Sequence, residues 1–370
     1  MISYNFENNT DKDKITPYDG VIDKLRITTP EEYKAMTQEQ KDNVLDEMLK
    51  VIREINVYPT YFYNQKGIEK EIKNLTNKEF PIIDGKLPFN NSIGQHLCRQ
   101  FFPNMLTVES PTDNRTMWNK FYNDHNLKRI LDFGIRNESF KPYNIHRHNN
   151  IVGGCAASNF RPSVAKALYE HYVPKNGIIY DYASGFGGRL LGALCSNNNY
   201  TYIGVEPNSE TFDNLNTFGN VIESVTKRKN SFKIVKSGSE DFKLSKPYFD
   251  FAFSSPPYFT CEIYSNEGTQ STNKFPELEL WFEGYVKPTI ENIYFMLKPN
   301  SYYGVNIADF NLGGNKKKPV HLVDRWFDLS IECGFEFVEK LDMKLNPRRG
   351  DGFSLENKGK TEGVYIFKKN

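Results

Sequence analysis

The stretch FDFAFSSPPYF (249–259) holds the most demanding local pattern in the chain. A run of Phe and Ala suited to a buried strand leads directly into Ser254-Ser255-Pro256-Pro257-Tyr258. Two successive prolines neither continue a sheet nor start an ordinary helical turn, so they set a rigid, exposed loop at the carboxyl end of the strand. In open α/β sheets ligands bind at that edge. A hydroxyl, a carbonyl and an aromatic ring would there face whatever is bound.

A second pattern lies upstream, in IIYDYASGFGGRLLGAL. Asp181 ends a strand, Gly185, Gly187 and Gly188 follow, and Arg189-Leu190-Leu191 opens a helix. Glycines let a backbone turn sharply and approach a ligand closely, as in nucleotide-binding strand-to-helix turns. The spacing is neither the dinucleotide GxGxxG nor a phosphate loop. Alone, such a turn says little. The next strand, however, ends at Glu206, where a carboxylate can accept both ribose hydroxyls of an adenosine. The third strand is followed by SGSEDF, where Asp241 is placed to accept from an adenine amino group and Phe242 to cover the ring, with Glu240 as the rival acid. One acid at a strand end is usually a solvated tip; three ligand-type ends in succession point to a nucleoside site.

These residues need a scaffold that presents strand ends side by side. From about residue 150 short β-branched or aromatic runs alternate with helical patterns, which marks a parallel sheet with crossover helices. The predicted strands are 177–183, 200–206, 232–237, 249–255, 302–308, 335–341 and 363–369, the last two pairing as a hairpin. Residues 1–150 read as a separate, largely helical domain. Residues 30–56 are predicted as one helix, with Val44, Met48, Val51 and Ile52 at helical spacing. A further helix runs through LKRILDFGIR, and residues 1 to about 15 read as frayed.

Together these motifs resemble the S-adenosylmethionine-dependent amino-methyltransferases of DNA. Their fourth motif, Asp, Asn or Ser followed by Pro-Pro and an aromatic residue, is matched by Ser255-Pro256-Pro257-Tyr258. The turn from Asp181 to Gly188 is similar to their first motif, Glu206 to the second and Asp241 to the third. The segment NFRPSVAKALYEHYVP (159–174) resembles the tenth, which places Phe160 beside the methionine end of the cofactor. The resemblance covers about 155–370. It implies a class I methyltransferase fold (Rossmann-like, mostly parallel, with a C-terminal antiparallel hairpin) over 151–370. It also implies S-adenosylmethionine as cofactor and double-stranded DNA with a flipped base as partner. Ser255 and the Pro256 carbonyl would accept the two hydrogens of an exocyclic amine, favouring a tetrahedral nitrogen with a freer lone pair. Tyr258 would stack on the base. Serine ahead of Pro-Pro favours cytosine N4, with adenine N6 next. Methylation at cytosine carbon 5 would need a Cys nucleophile, typically after Pro, and no Pro-Cys pair occurs. Two other readings stay open: an RNA amino-methyltransferase, and a non-catalytic nucleic-acid-binding relative. The family's usual target-recognition insert is missing between glycine turn and Pro-Pro loop, so 1–150 is the candidate for that role, beside a purely structural cap.

The remaining signals are weaker. Glu262 and Tyr264 lie in the loop after Tyr258 and could line a pocket or a lid. Lys316-Lys317-Lys318 and Arg348-Arg349 follow late strands and are candidates for phosphate contact. His146 and His148 read as surface histidines without metal partners, and no metal site is expected. The net charge of +1 over 370 residues excludes a polycation, so any phosphate binding is local. Five scattered cysteines, Cys98, Cys155, Cys195, Cys261 and Cys333, form no CxxC pair and suit a reducing compartment. The start carries no signal-peptide pattern and no run approaches a membrane span, so a cytoplasmic protein without membrane contact is expected.

Overall fold

The computed structural model describes residues 12–21, 28–89, 91–109, 116–137, 144–151, 157–312, 318–344 and 361–370. Its centre is a seven-stranded sheet: β1 (Ile178–Asp181), β2 (Thr201–Val205), β3 (Ser231–Val235), β4 (Phe249–Ser254), β5 (Leu297–Ile307), β6 (Glu336–Lys344) and β7 (Thr361–Lys368). The spatial order is β6-β7-β5-β4-β1-β2-β3. The five strands β5-β4-β1-β2-β3 run parallel, whereas β7 is antiparallel to both β5 and β6. Five parallel strands closed by an antiparallel hairpin form the Rossmann-like, class I methyltransferase arrangement expected from the sequence. The order reverses between β1 and β4, so the glycine turn and the Pro-Pro loop leave adjacent strands at the crevice where such sheets bind ligands.

Composition explains the placement of the strands. Phe249, Phe251, Ala252 and Phe253 of β4 are fully buried, as a central strand with both faces covered requires. The edge strand β6, by contrast, carries a bulge between Phe337 and Glu339 and leaves Phe337 and Val338 exposed.

Residues 30–56, expected as one helix, form two: Pro30–Ala35 and α1 (Gln38–Ile55). Thr37 starts the second, since its hydroxyl accepts from the Gln40 amide while the Gln40 side chain accepts from the Thr37 amide. That reciprocal cap satisfies donors a continuous helix would have used internally. At the amino terminus, Lys14–Ile15, within the segment read as frayed, pairs with Phe62–Tyr63, and Ile15 is buried. Then come α2 (Gln65–Asn77), α3 (Gln95–Phe101) and α4 (Asp124–Asn137), the last where LKRILDFGIR predicts a helix.

One hydrophobic core runs from Ile68, Ile72, Leu97 and Phe101 to Leu190, Phe218 and Phe251, joining α2 and α3 to the sheet and its helices. A separate cluster holds Tyr18, Tyr33, Met48, Ile52, Leu127, Ile130 and Ile145. Lys166, on α5 (Pro162–Tyr172), is fully buried, and its ammonium donates at 2.9 Å to the carbonyls of Leu75, Thr76 and Lys78. These are carbonyls that the end of α2 leaves unpaired, so a buried cation caps that helix onto α5. Among the described residues no helix is long and apolar enough to cross a membrane.

Candidate active site

The glycine turn joins β1 to α6 (Gly188–Leu194). Gly185 and Gly187 take φ of 56° and 74°, a left-handed conformation that side chains with a Cβ resist. Gly188 is required by close approach: a Cβ there would lie 2.0 Å from the Phe160 carbonyl oxygen. The segment before α5 thus rests on the first turn of α6, with the Asn159 side chain donating to the Phe186 carbonyl at 2.8 Å. Phe160 itself is buried, its ring 5.3 Å from that of Phe253.

Asp181 is fully buried, and its Oδ2 accepts from Arg189 Nε at 2.7 Å and from the Tyr202 hydroxyl at 2.6 Å. The Arg189 guanidinium also reaches the Ala183 carbonyl. Strand end, turn and helix are therefore tied by one buried ion pair, and the acid expected at the cofactor is engaged in holding the turn. The Ser254 hydroxyl donates to the same Ala183 carbonyl at 3.1 Å, which fastens the tip of β4 to the turn.

Glu206 is buried beside the turn, its Oε2 accepting from the Gly185 amide at 3.0 Å and its Oε1 from the Asn208 amide at 3.0 Å. Burial pushes its carboxyl up to about 7, against the lowering effect of those two amides. At the next strand tip the two candidate acids part. The Asp241 side chain is 64% exposed and pairs with Lys274 at 2.7 Å. That of Glu240 is 4% exposed; its Oε1 meets Lys274 at 2.5 Å, and its Oε2 is shielded from solvent with no hydrogen-bond partner among the described residues. The inward acid is Glu240, the rival in the sequence reading. Phe242 packs against the core, 5.5 Å from the ring of Tyr180.

At the Pro-Pro loop, Pro256 is buried while Ser255, Pro257 and Tyr258 are half-buried. The Tyr258 hydroxyl donates to the Asn306 carbonyl at 3.1 Å or to Glu362 Oε1 at 2.5 Å. Burial, and then the Glu362 charge, push the phenol well above its ordinary value. The following loop crosses the strand tips as a strap. Ile263 pairs through its backbone with Glu109, at 2.9 and 3.0 Å. Glu267 accepts from the Ser209 amide and hydroxyl, each at 3.1 Å, at the start of α7 (Ser209–Thr226). The Tyr264 hydroxyl donates to Glu262 at 2.5 Å, and its ring lies 6.0 Å from that of Phe186. A cleft of about 430 Å³ opens here, lined by Asn104, Asn208, Tyr264 and Glu267 among others. A second cleft, of about 330 Å³ between Lys14, Tyr63, Glu71 and His96, shares no lining residue with these tips.

Sequence reasoning missed Glu362, Asn306 and Lys274, which no motif spacing marks because they arrive from distant strands and loops. Arg189 was visible as the residue after the glycines, but not its pairing. Lys316, Lys317, Arg348 and Arg349 lie outside the described residues, and Lys318 opens the short strand Lys318–Val320. His146 and His148, expected at the surface, are buried; His146 Nδ1 meets the Tyr58 hydroxyl at 3.1 Å, and burial lowers its pKa well below the ordinary value.

No protein-family model matches the chain. No curated protein matches it either. Among solved structures, a SAM-dependent methyltransferase from Methanosarcina mazei is 16% identical with a TM-score of 0.37, over 55% of this chain and 96% of that one. A methyltransferase from Pyrococcus furiosus is 14% identical with a TM-score of 0.36, over 56% and 83%. TrmN from Thermus thermophilus is 10% identical with a TM-score of 0.37, over 56% and 49%.

Proposed function

We propose that this chain is an S-adenosylmethionine-dependent methyltransferase that modifies an exocyclic amino nitrogen of a DNA base, cytosine N4 ahead of adenine N6. The observation that carries this reading is the seating of Ser255-Pro256-Pro257-Tyr258 at the tip of β4, fastened through Ser254 to the glycine turn. An acceptor loop and a nucleoside-type pocket thereby share one crevice.

The residues present fit the cofactor. Gly185 leaves open space at the turn, where an added Cβ would meet nothing nearer than 3.8 Å, whereas Gly187 and Gly188 admit Phe102 and the Phe160 carbonyl against the turn. Glu206 offers a buried carboxylate to ribose hydroxyls, and Glu240 keeps an orphaned buried oxygen suited to an amino donor. When bound, S-adenosylmethionine supplies an electrophilic methyl group. The chain's own residues do the rest. Ser255 and the Pro256 carbonyl accept the amine hydrogens, a stabilisation realised fully only as the nitrogen becomes tetrahedral. Tyr258 offers its ring to an unstacked base, and the rigid loop holds the nitrogen in line. Target recognition by residues 1–150 and phosphate contact by Lys316–Lys318, Arg348 and Arg349 belong to the same proposal.

The test is nucleoside mass spectrometry of DNA and RNA from cells that do and do not express the chain. N4-methylcytosine or N6-methyladenine in DNA is the expected result. The same modification confined to RNA would move the substrate to RNA, and 5-methylcytosine would sink the mechanism.

A further inference from the structure

We infer that Glu362, on the last strand of the sheet, is the positioning residue that sets the ring of Tyr258 for its base. This rests on the proposed function. Glu362 lies 104 residues after Tyr258 in the chain, yet its Oε1 stands 2.5 Å from the Tyr258 hydroxyl. The second acceptor, the Asn306 carbonyl, is 3.1 Å away on β5. A phenol has one proton to donate, and a carboxylate at the shorter distance takes it as a charge-assisted bond. The two anchors are themselves joined, because the Asn306 side chain, 2% exposed, donates to the Gly363 carbonyl at 3.0 Å.

The geometry has a direct consequence for the ring. Tyr258 is held at its backbone by Pro256-Pro257, which limits the loop to few conformations. Rotation about the side-chain bonds would still let the ring swing, and the last of these torsions is broad. The phenolic oxygen lies on the axis of the last torsion, so a hydrogen bond there stops the swing about the first torsion, and it orients the plane through the preference of a phenolic O–H to lie in the plane of its ring. Stacking on a base needs a fixed plane, so a ring tethered at both ends presents a preorganised platform. Glu362 therefore acts through Tyr258.

The experiment compares the full-length chain with Glu362→Ala, Glu362→Gln, Tyr258→Phe and the Tyr258→Phe, Glu362→Ala double variant. Each is assayed for methyl transfer to mixed-sequence oligonucleotides, for S-adenosylmethionine affinity and for thermal melting. Loss of a hydrogen bond to a charged group should lower kcat/KM for the oligonucleotide by about tenfold or more in Glu362→Ala and in Tyr258→Phe. Cofactor affinity should stay within about twofold, since neither group belongs to the proposed cofactor pocket. Glu362→Gln keeps an acceptor and should recover most of the activity. The double variant should be no worse than Tyr258→Phe alone. Losses that multiply in the double variant, or a Glu362→Ala chain as active as the parent, would overturn the inference and leave the proposed function standing. If Glu362→Ala does not fold, Tyr258→Phe against Glu362→Gln makes the same comparison without a cavity. A parent chain that binds S-adenosylmethionine but methylates no nucleic acid overturns the proposed function, and the inference with it.

Discussion

Replacing Glu206 by Gln should change how stability responds to pH. The carboxyl is buried, and burial raises it from an ordinary 4.5 to about 7 despite two amide hydrogen bonds. At roughly 1.4 kcal/mol for each pH unit, keeping Glu206 ionised in the folded chain costs about 3 kcal/mol. An acid whose folded value lies above its unfolded value binds more protons folded than unfolded between the two, so stability falls as pH rises through that window. Here the window runs from 4.5 to about 7, and the full contribution is present only below 4.5. Gln cannot ionise and is free of this slope. Urea unfolding of parent and variant should therefore give a stability difference that shifts by about 2.5 kcal/mol in favour of the variant between about pH 5 and about pH 8. The difference at a single pH mixes in the hydrogen bond that Gln cannot reproduce at the Gly185 amide; the change with pH does not. The ionised carboxylate is also the form best able to accept ribose hydroxyls. Affinity for S-adenosylmethionine by calorimetry should accordingly weaken below about pH 7, by up to tenfold per pH unit, and weaken at all pH values in the variant. A stability difference that is flat with pH would refute the buried placement of Glu206, and equal affinity in the variant would remove it from the cofactor pocket.

Three further outcomes are expected, two from this geometry and the last from the sequence. Arg189→Met leaves the Asp181 carboxylate buried without its cation, which should destabilise the chain by about 3–5 kcal/mol in denaturant unfolding; a loss under about 1 kcal/mol would mean the pair is dispensable. Ser255→Ala should leave cofactor affinity intact and lower turnover by about a hundredfold or more, as one hydrogen bond specific to the transition state is lost; unchanged turnover would exclude Ser255 from the chemistry. Arg348→Ala with Arg349→Ala should weaken binding to all duplexes alike and flatten the salt dependence, and an unaltered slope would separate these residues from phosphate.

Much of the fold was legible because it depends on consecutive residues. Runs such as IIYD, TYIGV and FDFAFS carry their own β-propensity and burial, and the alternation of strands with helical segments implies a parallel sheet. Helix ends are harder to read, since Thr37 stops one helix and starts another through a local cap, while the apolar periodicity runs on towards Ile55. Burial of His146 and His148 was not legible, because polar character says nothing of which neighbours close over a side chain.

The candidate site divides in the same way. Glycines in a left-handed turn, an acid at a strand end and a Pro-Pro loop are properties of short segments, so the sequence by itself determined that these groups gather at the carboxyl edge of the sheet. Which acid turns inward, Glu240 or Asp241, is decided by packing around the strand tip, and Lys274, more than 30 residues on, pairs with both. That Asp181 meets Arg189 and Tyr202 depends on how α6 and β2 pack around the turn. That Tyr258 meets Glu362 depends on β7 inserting antiparallel beside β5, in the register that sets Gly363 opposite Ile307. Strand order and register are collective outcomes of packing the whole sheet, and a one-residue slip would turn every side chain of β7 to the other face. Only the tertiary structure could decide those partners.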